Sequence, residues 1–84
     1  MEKKFAIQEN VNMEDKKRLK NIGINIKSAR LRAGISQEEL AEKCEISRNS
    51  VSLIETGKIN PTILRVIDIA RVLRTTIDTL IKDA

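Results

Sequence analysis

Aromatic side chains are almost missing from this sequence of 84 residues, which has one phenylalanine, Phe5, and neither tryptophan nor tyrosine. RNA recognition by stacking bases on aromatic rings is therefore disfavoured. Histidine is absent and cysteine occurs once, so no Cys/His cluster is available for a structural metal and no intramolecular disulfide can form. An enzyme is disfavoured as well, because there is no phosphate-binding glycine loop and no paired nucleophile and base. We interpret Cys44 as a core residue and expect no metal, cofactor or small-molecule ligand.

The sequence also lacks long apolar segments. No apolar run approaches the roughly 18 residues of a membrane-spanning helix. The N-terminal stretch MEKKFAIQENVNMEDKK has no apolar core of the kind found in signal peptides. We therefore expect a soluble, cytoplasmic protein that does not bind a membrane.

Charged residues are plentiful, with 16 Lys and Arg against 12 Asp and Glu, which gives a net charge of +4. A chain of this length forms one small domain, and an excess of positive charge on such a domain favours a polyanionic partner. The densest basic cluster consists of Lys16, Lys17, Arg18 and Lys20. We interpret this cluster as a solvated helix face rather than a binding surface.

Apolar residues at helical spacing predict an all-α, compact five-helix bundle without strands. Residues 1–12 show no periodicity and are predicted to be a flexible N-terminal tail, followed by a single domain over residues 13–84. The first helix is expected to start near Met13, with Asn21 as a competing start. It should end at Gly34, since glycine commonly follows the last turn of a helix.

Two short helices follow in close succession. Ser36 and Glu39 have the spacing of a capping box, which predicts a helix over 36–43. Three residues later Ser47 caps a second short helix, over 47–55. Two short helices joined by so tight a turn define a helix-turn-helix.

The last two helices are predicted over 63–73, capped by Thr62, and from a cap at Thr75 or Thr76 through Ile81. The fourth helix is apolar over most of its circumference, wider than the stripe of a surface helix. It is therefore either central to the bundle or in contact with another subunit, and the sequence favours neither.

The helix over 47–55 carries the residues expected to meet nucleic acid. Between Ser47 and Ile54 it contains no acid, which would repel phosphate, and its exposed side chains are mostly hydrogen-bond donors and acceptors of a size to reach base edges. The candidate base-reading residues are Arg48, Asn49, Ser50, Ser52 and Leu53.

The stretch ISQEELAEKCEISRNSVSLIETGKINPTI resembles the Cro/repressor-type, or Xre-like, helix-turn-helix family of phage and bacterial regulators. The likeness covers about residues 20–82, and the central motif positions fall in the register of the family. The resemblance implies a lambda-repressor-like DNA-binding domain whose partner is double-stranded DNA.

The same resemblance implies roles for individual residues. The candidates for contacts with backbone phosphate are Ser36, Gln37, Ser47, Lys58 and Asn60. In the family, the glutamine at the position of Gln37 also braces the recognition helix. Arg30 and Glu55 match an inner arginine–glutamate pair, which we expect to be structural.

The sequence departs from the family pattern at three positions. Glu45 and Arg74 stand where glycine is frequent, and either residue would be strained by roughly 1–2 kcal/mol in a left-handed conformation. Leu53 stands where related proteins often carry a polar or basic base-reading residue. It could touch a thymine methyl group or only cover the edge of the groove.

A single short helix reads few base pairs, so we expect a homodimer on a pseudo-palindromic operator. The candidate dimer interface is helix five, through Ile77, Leu80 and Ile81, which so small a domain is not expected to cover completely. Repression is the expected output. The alternative is an antitoxin or adaptor whose main role is to bind another protein.

Overall fold

Five helices and no strand make up the part of the chain that the computed structural model describes, which is residues 2–84 for the backbone and residues 13–84 for the side chains. The helices are α1 (Glu2–Arg32), α2 (Gln37–Cys44), α3 (Arg48–Glu55), α4 (Ile63–Val72) and α5 (Ile77–Leu80). The predicted all-α class is confirmed. Over the same described residues, none of these helices has both the length and the apolarity to cross a membrane.

The first helix runs without a break through Asn21 and Gly23 and ends at Arg32. A separate helix start at Asn21 is therefore wrong. Gly34 follows the last turn with a φ of 73°, as a helix-terminating glycine should. The backbone is helical from Glu2, so the expected start near Met13 is wrong, while the flexibility predicted for residues 1–12 stays a prediction.

The starts of α2 and α3 are fixed by serine caps. The hydroxyl of Ser36 accepts from the Glu39 N–H at 3.0 Å, and the Ser36 N–H donates to Glu39 Oε1 at 3.4 Å. The hydroxyl of Ser47 accepts from the Ser50 N–H at 3.0 Å. A cap of this kind contributes about 1 kcal/mol, which matters for helices of eight residues.

The turns after α2 and α4 contain strained residues. Glu45 has a φ of 57° and Arg74 a φ of 54°, so both occupy the left-handed region. Glu45 ends α2, and its N–H reaches the carbonyls of Ala41 and Glu42. Both residues stand at positions where glycine is frequent in the family, and the backbone is left-handed at both. Neither residue is a glycine, so strain is present at both.

A single core joins all five helices. The largest fully buried side chains among the described residues come one from each helix and are Ile26, Leu40, Val51, Ile69 and Leu80. All of them belong to one apolar cluster. Because each helix contributes a buried residue to this cluster, the position of α3 depends on the packing of the whole domain.

Leu80 is fully buried in the protomer, with no exposed surface. Its assignment to a dimer interface is therefore wrong. The cause is that α5 folds back against α1 and α4. Asn25 of α1 holds this end of the chain, because its Nδ2 group donates to the carbonyl oxygens of Leu80 at 3.0 Å and Lys82 at 2.8 Å. Of the other two residues assigned there, Ile77 is half-buried against the core and Ile81 is exposed.

The fourth helix divides into a buried part and an exposed start. Val66, Ile69 and Ala70 face the core, whereas Ile63 and Leu64 are 62% and 69% exposed. Arg65 ties the helix to α2, because its guanidinium donates to the Cys44 carbonyl at 3.1 Å. The wide apolar surface of α4 is therefore only partly explained by the core.

Candidate nucleic-acid interface

The third helix presents one face to the core and the opposite face to solvent. Val51, Ile54 and Glu55 are buried. At 100° per residue, Asn49 and Leu53 lie on the side directly opposite these buried residues. Arg48 and Asn49 are exposed, and Leu53 is half-buried. A surface of this kind can enter a groove while its other side remains attached to the bundle.

Four of the residues predicted to contact DNA line one hollow of about 290 Å³ between α2 and α3. Its lining consists of Gln37 from α2 and Arg48, Asn49 and Ser52 from α3. A predicted phosphate contact thus lies beside three predicted base-reading residues. All four side chains offer hydrogen bonds, and the guanidinium adds a positive charge.

Ser50 lies away from this group. Its hydroxyl is 2.9 Å from the Ser47 hydroxyl, and it faces a second hollow that also includes Asn60 and Thr62. Ser50 is thus engaged with the helix cap on the opposite edge of α3. The structure separates it from the predicted base-reading residues that line the first hollow.

A buried ion pair holds α3 against the neighbouring helices. Arg30 of α1 donates to Glu55 of α3 through Nε at 2.7 Å and through Nη2 at 3.1 Å. The side chains are 8% and 1% exposed. Arg30 also donates to the Ile35 carbonyl at 2.9 Å. The predicted pair is thus in direct bidentate contact, and loss of one partner would leave a buried charge at a cost on the order of 3–5 kcal/mol.

Gln37 extends this pair into a network of three helices. Its Nε2 group donates to Glu55 Oε1 at 3.0 Å. The Glu55 carboxylate therefore accepts three hydrogen bonds from α1 and α2 together. Through this contact the end of α3 is fixed relative to the start of α2, and Gln37 is oriented beside the hollow that it lines.

Two glycines allow α3 and the segment after it to approach α1 closely, which the sequence analysis missed. A Cβ atom on Gly23 would lie 2.4 Å from the Glu55 carbonyl oxygen, and one on Gly57 would lie 2.7 Å from the Lys20 Cα atom. Gly57 also has a φ of 71°. The available signal was Gly23 itself, a glycine in the interior of a helix.

The remaining predicted phosphate contacts lie at exposed positions. Ser36 and Ser47 are the exposed N-caps of α2 and α3, and Lys58 and Asn60 are exposed in the loop after α3. Helix N-termini point N–H groups toward a bound anion and favour negative charge there. Ser36 and Ser47 thus lie at helix N-termini, and Lys58 and Asn60 add a positive charge and an amide group in the loop after α3.

Cys44 is buried in the core, with 5% of its surface exposed. Burial raises the pKa of the thiol above its ordinary value, Asp68 raises the pKa further, and Arg65 lowers it. A thiol of raised pKa is a poor nucleophile and a poor metal ligand. Cys44 therefore acts as a small apolar residue between α2 and α4.

Comparison with known proteins identifies the family. The family model described as helix-turn-helix matches residues 26–80. The chain belongs to the helix-turn-helix family. Within this family it is of the Xre-like type, as the resemblance in the α2–α3 region predicted.

Individual relatives of this helix-turn-helix protein agree with the assignment. An uncharacterized HTH-type transcriptional regulator of Archaeoglobus fulgidus is 38% identical over 55 residues, which are 66% of this chain and 79% of the relative. The restriction-modification controller protein C.AhdI from Aeromonas hydrophila has a similar structure, with a TM-score of 0.71 and 27% identity over 74% of this chain and 94% of that one. The hypothetical transcription factor NHTF from Neisseria gives a TM-score of 0.71 and 28% identity over 79% and 77% of the two chains. The protein is accordingly a DNA-binding regulator of the helix-turn-helix family.

Proposed function

We propose that the protein is a sequence-specific repressor of transcription that reads double-stranded DNA with α3 in the major groove. The observation that carries this proposal is the grouping of Gln37, Arg48, Asn49 and Ser52 around one hollow. The three residues from α3 lie on a helix that has no acid before Glu55, and that acid is buried and paired with Arg30. The groove-facing surface of α3 is therefore free of carboxylates that would repel DNA.

Within this proposal, Arg48 and Asn49 read base edges. An arginine can donate two hydrogen bonds to guanine, and an asparagine pairs in the same way with adenine. Ser52 lies beside Arg48 and supports a neighbouring contact, while Leu53 touches a thymine methyl group. The fixed position of α3 favours specific reading, because the network around Glu55 holds the helix in one orientation.

The phosphate contacts flank these residues on both sides. Ser36, Gln37 and Ser47 lie at the helix starts, and Lys58 and Asn60 follow the end of α3. In this assignment they set the register of the protein on the duplex without reading its sequence. Ser50 is the weakest member of the proposed base-reading set, because its hydroxyl is beside that of Ser47.

We further propose that the protein acts as a homodimer in the cytoplasm, where it would meet its operator. Two recognition helices about 34 Å apart, or a multiple of that distance, would read a pseudo-palindromic site. Of the residues proposed for this interface, Ile81, directly after α5, is 41% exposed and Ile77 of α5 is half-buried. The likeness to an HTH-type transcriptional regulator and to a hypothetical transcription factor supports a role in transcriptional control.

Selection from a random pool of duplexes, at low and at moderate salt, tests this function. Retained DNA that contains an inverted repeat would support a dimeric operator-reading protein and supply its site. Salt-sensitive retention without an enriched sequence would instead indicate binding to phosphate alone.

The alternative is a protein-binding role, as in an antitoxin or adaptor. The observation in its favour is the pair of exposed apolar residues at the start of α4, Ile63 and Leu64. If the pool selection retains no DNA at either salt concentration, this alternative becomes the preferred function.

A further inference from the structure

A second basic surface lies next to the end of the recognition helix. Lys16 and Lys20 of α1 and Lys58 from the loop after α3 line one hollow of about 490 Å³. All three lysines are exposed. From the sequence, Lys16 and Lys20 were interpreted as part of a solvated helix face, and more than thirty residues separate them from Lys58.

The relative position of these lysines is fixed by backbone packing. Gly57, the residue before Lys58, lies so close to α1 that a Cβ atom on it would be 2.7 Å from the Lys20 Cα atom. The loop after α3 is therefore packed directly against the backbone of α1 at Lys20. Leu19 and Gly57 contribute to the lining of the same hollow.

The charge of the hollow is positive. Its lining has three lysines and one acid, Asp15, and Asp15 forms an ion pair with Arg18 at 3.5 Å. The N–H groups of Gly57 and Lys58 donate to the carbonyls of Ile54 and Leu53 at 3.1 and 2.9 Å. Because these N–H groups are already engaged, an anion in the hollow would be bound by the lysine ammonium groups.

We infer that Lys16 and Lys20, together with Lys58, bind a backbone phosphate of the DNA that α3 reads. This inference rests on the proposed function, since it places α1 on the same duplex. With this contact, the DNA-binding surface includes the face of α1 beside Gly57 in addition to α2, α3 and the loop after α3. The ligand chemistry is a phosphate diester held by ammonium groups, so the contact adds affinity and salt dependence without sequence preference.

The test compares two doubly substituted proteins with the wild type on the selected operator. In the first, Lys16→Ala and Lys20→Ala remove the α1 lysines of the hollow. In the matched control, Lys17→Ala and Lys82→Ala remove the same charge from exposed positions outside it. Circular dichroism verifies that both proteins remain folded, and affinity is measured over a range of salt concentrations.

Affinity decreases with salt, so a plot of log affinity against log salt has a negative slope. We expect this slope to become shallower by about 0.9 for each phosphate that the Lys16→Ala, Lys20→Ala protein no longer neutralises. At 0.1 M salt each such phosphate corresponds to a decrease in affinity on the order of eightfold. The sequence preference of both substituted proteins should stay as in the wild type. The slope of the control should also equal that of the wild type. A slope equal to that of the wild type in the first protein would overturn the inference while leaving the reading of DNA by α3 intact.

Neutral methylphosphonates, introduced one at a time into the operator, identify the phosphate concerned. A methylphosphonate at the phosphate bound in the hollow should lower the affinity of the wild type. The same methylphosphonate should lower the affinity of the Lys16→Ala, Lys20→Ala protein by much less, because that protein has already lost the contact. If every position weakens both proteins equally, the hollow does not bind DNA. A shift of the Gly57 amide resonance with inorganic phosphate alone would then assign the hollow to a free anion and also overturn the inference.

Discussion

Replacement of Gly23 by alanine tests how closely α1 and α3 pack. The added Cβ atom would lie 2.4 Å from the Glu55 carbonyl oxygen and 2.6 Å from that of Ile54. Since ordinary contacts begin near 3.4 Å, the two helices would have to separate by about 1 Å. The Arg30–Glu55 pair lies at the same end of α3 and resists such a movement.

Two opposed effects set the change in the free energy of unfolding that Gly23→Ala causes. Overpacking against backbone costs up to about 3 kcal/mol, and the higher helix propensity of alanine offsets about 1 kcal/mol. We therefore expect Gly23→Ala to lower the free energy of unfolding by about 2 kcal/mol. In a domain of this size, this is a decrease in Tm of roughly 8–16 °C.

Thermal unfolding followed by circular dichroism measures this change. Lys27→Ala serves as the control, because Lys27 is exposed on the same helix and its replacement should change stability by no more than about 0.5 kcal/mol. If Gly23→Ala is as stable as the wild type or more stable, the close approach of α1 to the end of α3 is refuted.

The other predictions concern strain, phosphate contact and assembly. Glu45→Gly should raise the free energy of unfolding by about 1 kcal/mol, because Glu45 has a φ of 57°; a lower midpoint in urea would count against strain at that turn. Lys58→Ala should weaken binding to operator and to random DNA by the same factor in a titration, since the residue is proposed to contact phosphate only; a selective loss on the operator would contradict that role. Ile81→Lys should give a monomer in sedimentation equilibrium, and an unchanged dimer mass would exclude Ile81 from the interface. Leu80→Lys cannot replace this experiment, because it would bury a charge in the core and unfold the domain.

The features that sequence could predict are those set by residues close together in the chain. The serine caps at Ser36 and Ser47 depend on hydrogen bonds that span three residues, so a local pattern is sufficient to locate α2 and α3. The family resemblance drew attention to Glu45, because glycine is frequent at that position, and the structure gives Glu45 a left-handed φ of 57°. The Arg30–Glu55 contact was anticipated from the family resemblance, since the residues lie 25 positions apart.

What could not be predicted depends on contacts between distant segments. The apolar character of Leu80 was evident, but whether α1 and α4 would cover it depends on how α5 folds back. The role of Gly23 requires the position of the α3 carbonyls, and a glycine in a helix carries no sign of what lies beside it. The proximity of Lys20 to Gly57 likewise depends on the crossing of α1 and α3 rather than on sequence spacing.

The central claim is that the exposed face of α3 reads DNA sequence. Parallel selections from one random duplex pool, with the wild type and with Arg48→Ala, test it most directly. The wild type should enrich an inverted repeat, and Arg48→Ala should enrich the same repeat with preference relaxed at one base pair in each half, at a cost of about 1–3 kcal/mol on the original site. If both proteins enrich an identical sequence with equal affinity, Arg48 does not read a base. If neither enriches any sequence, the reading of an operator by α3 is contradicted.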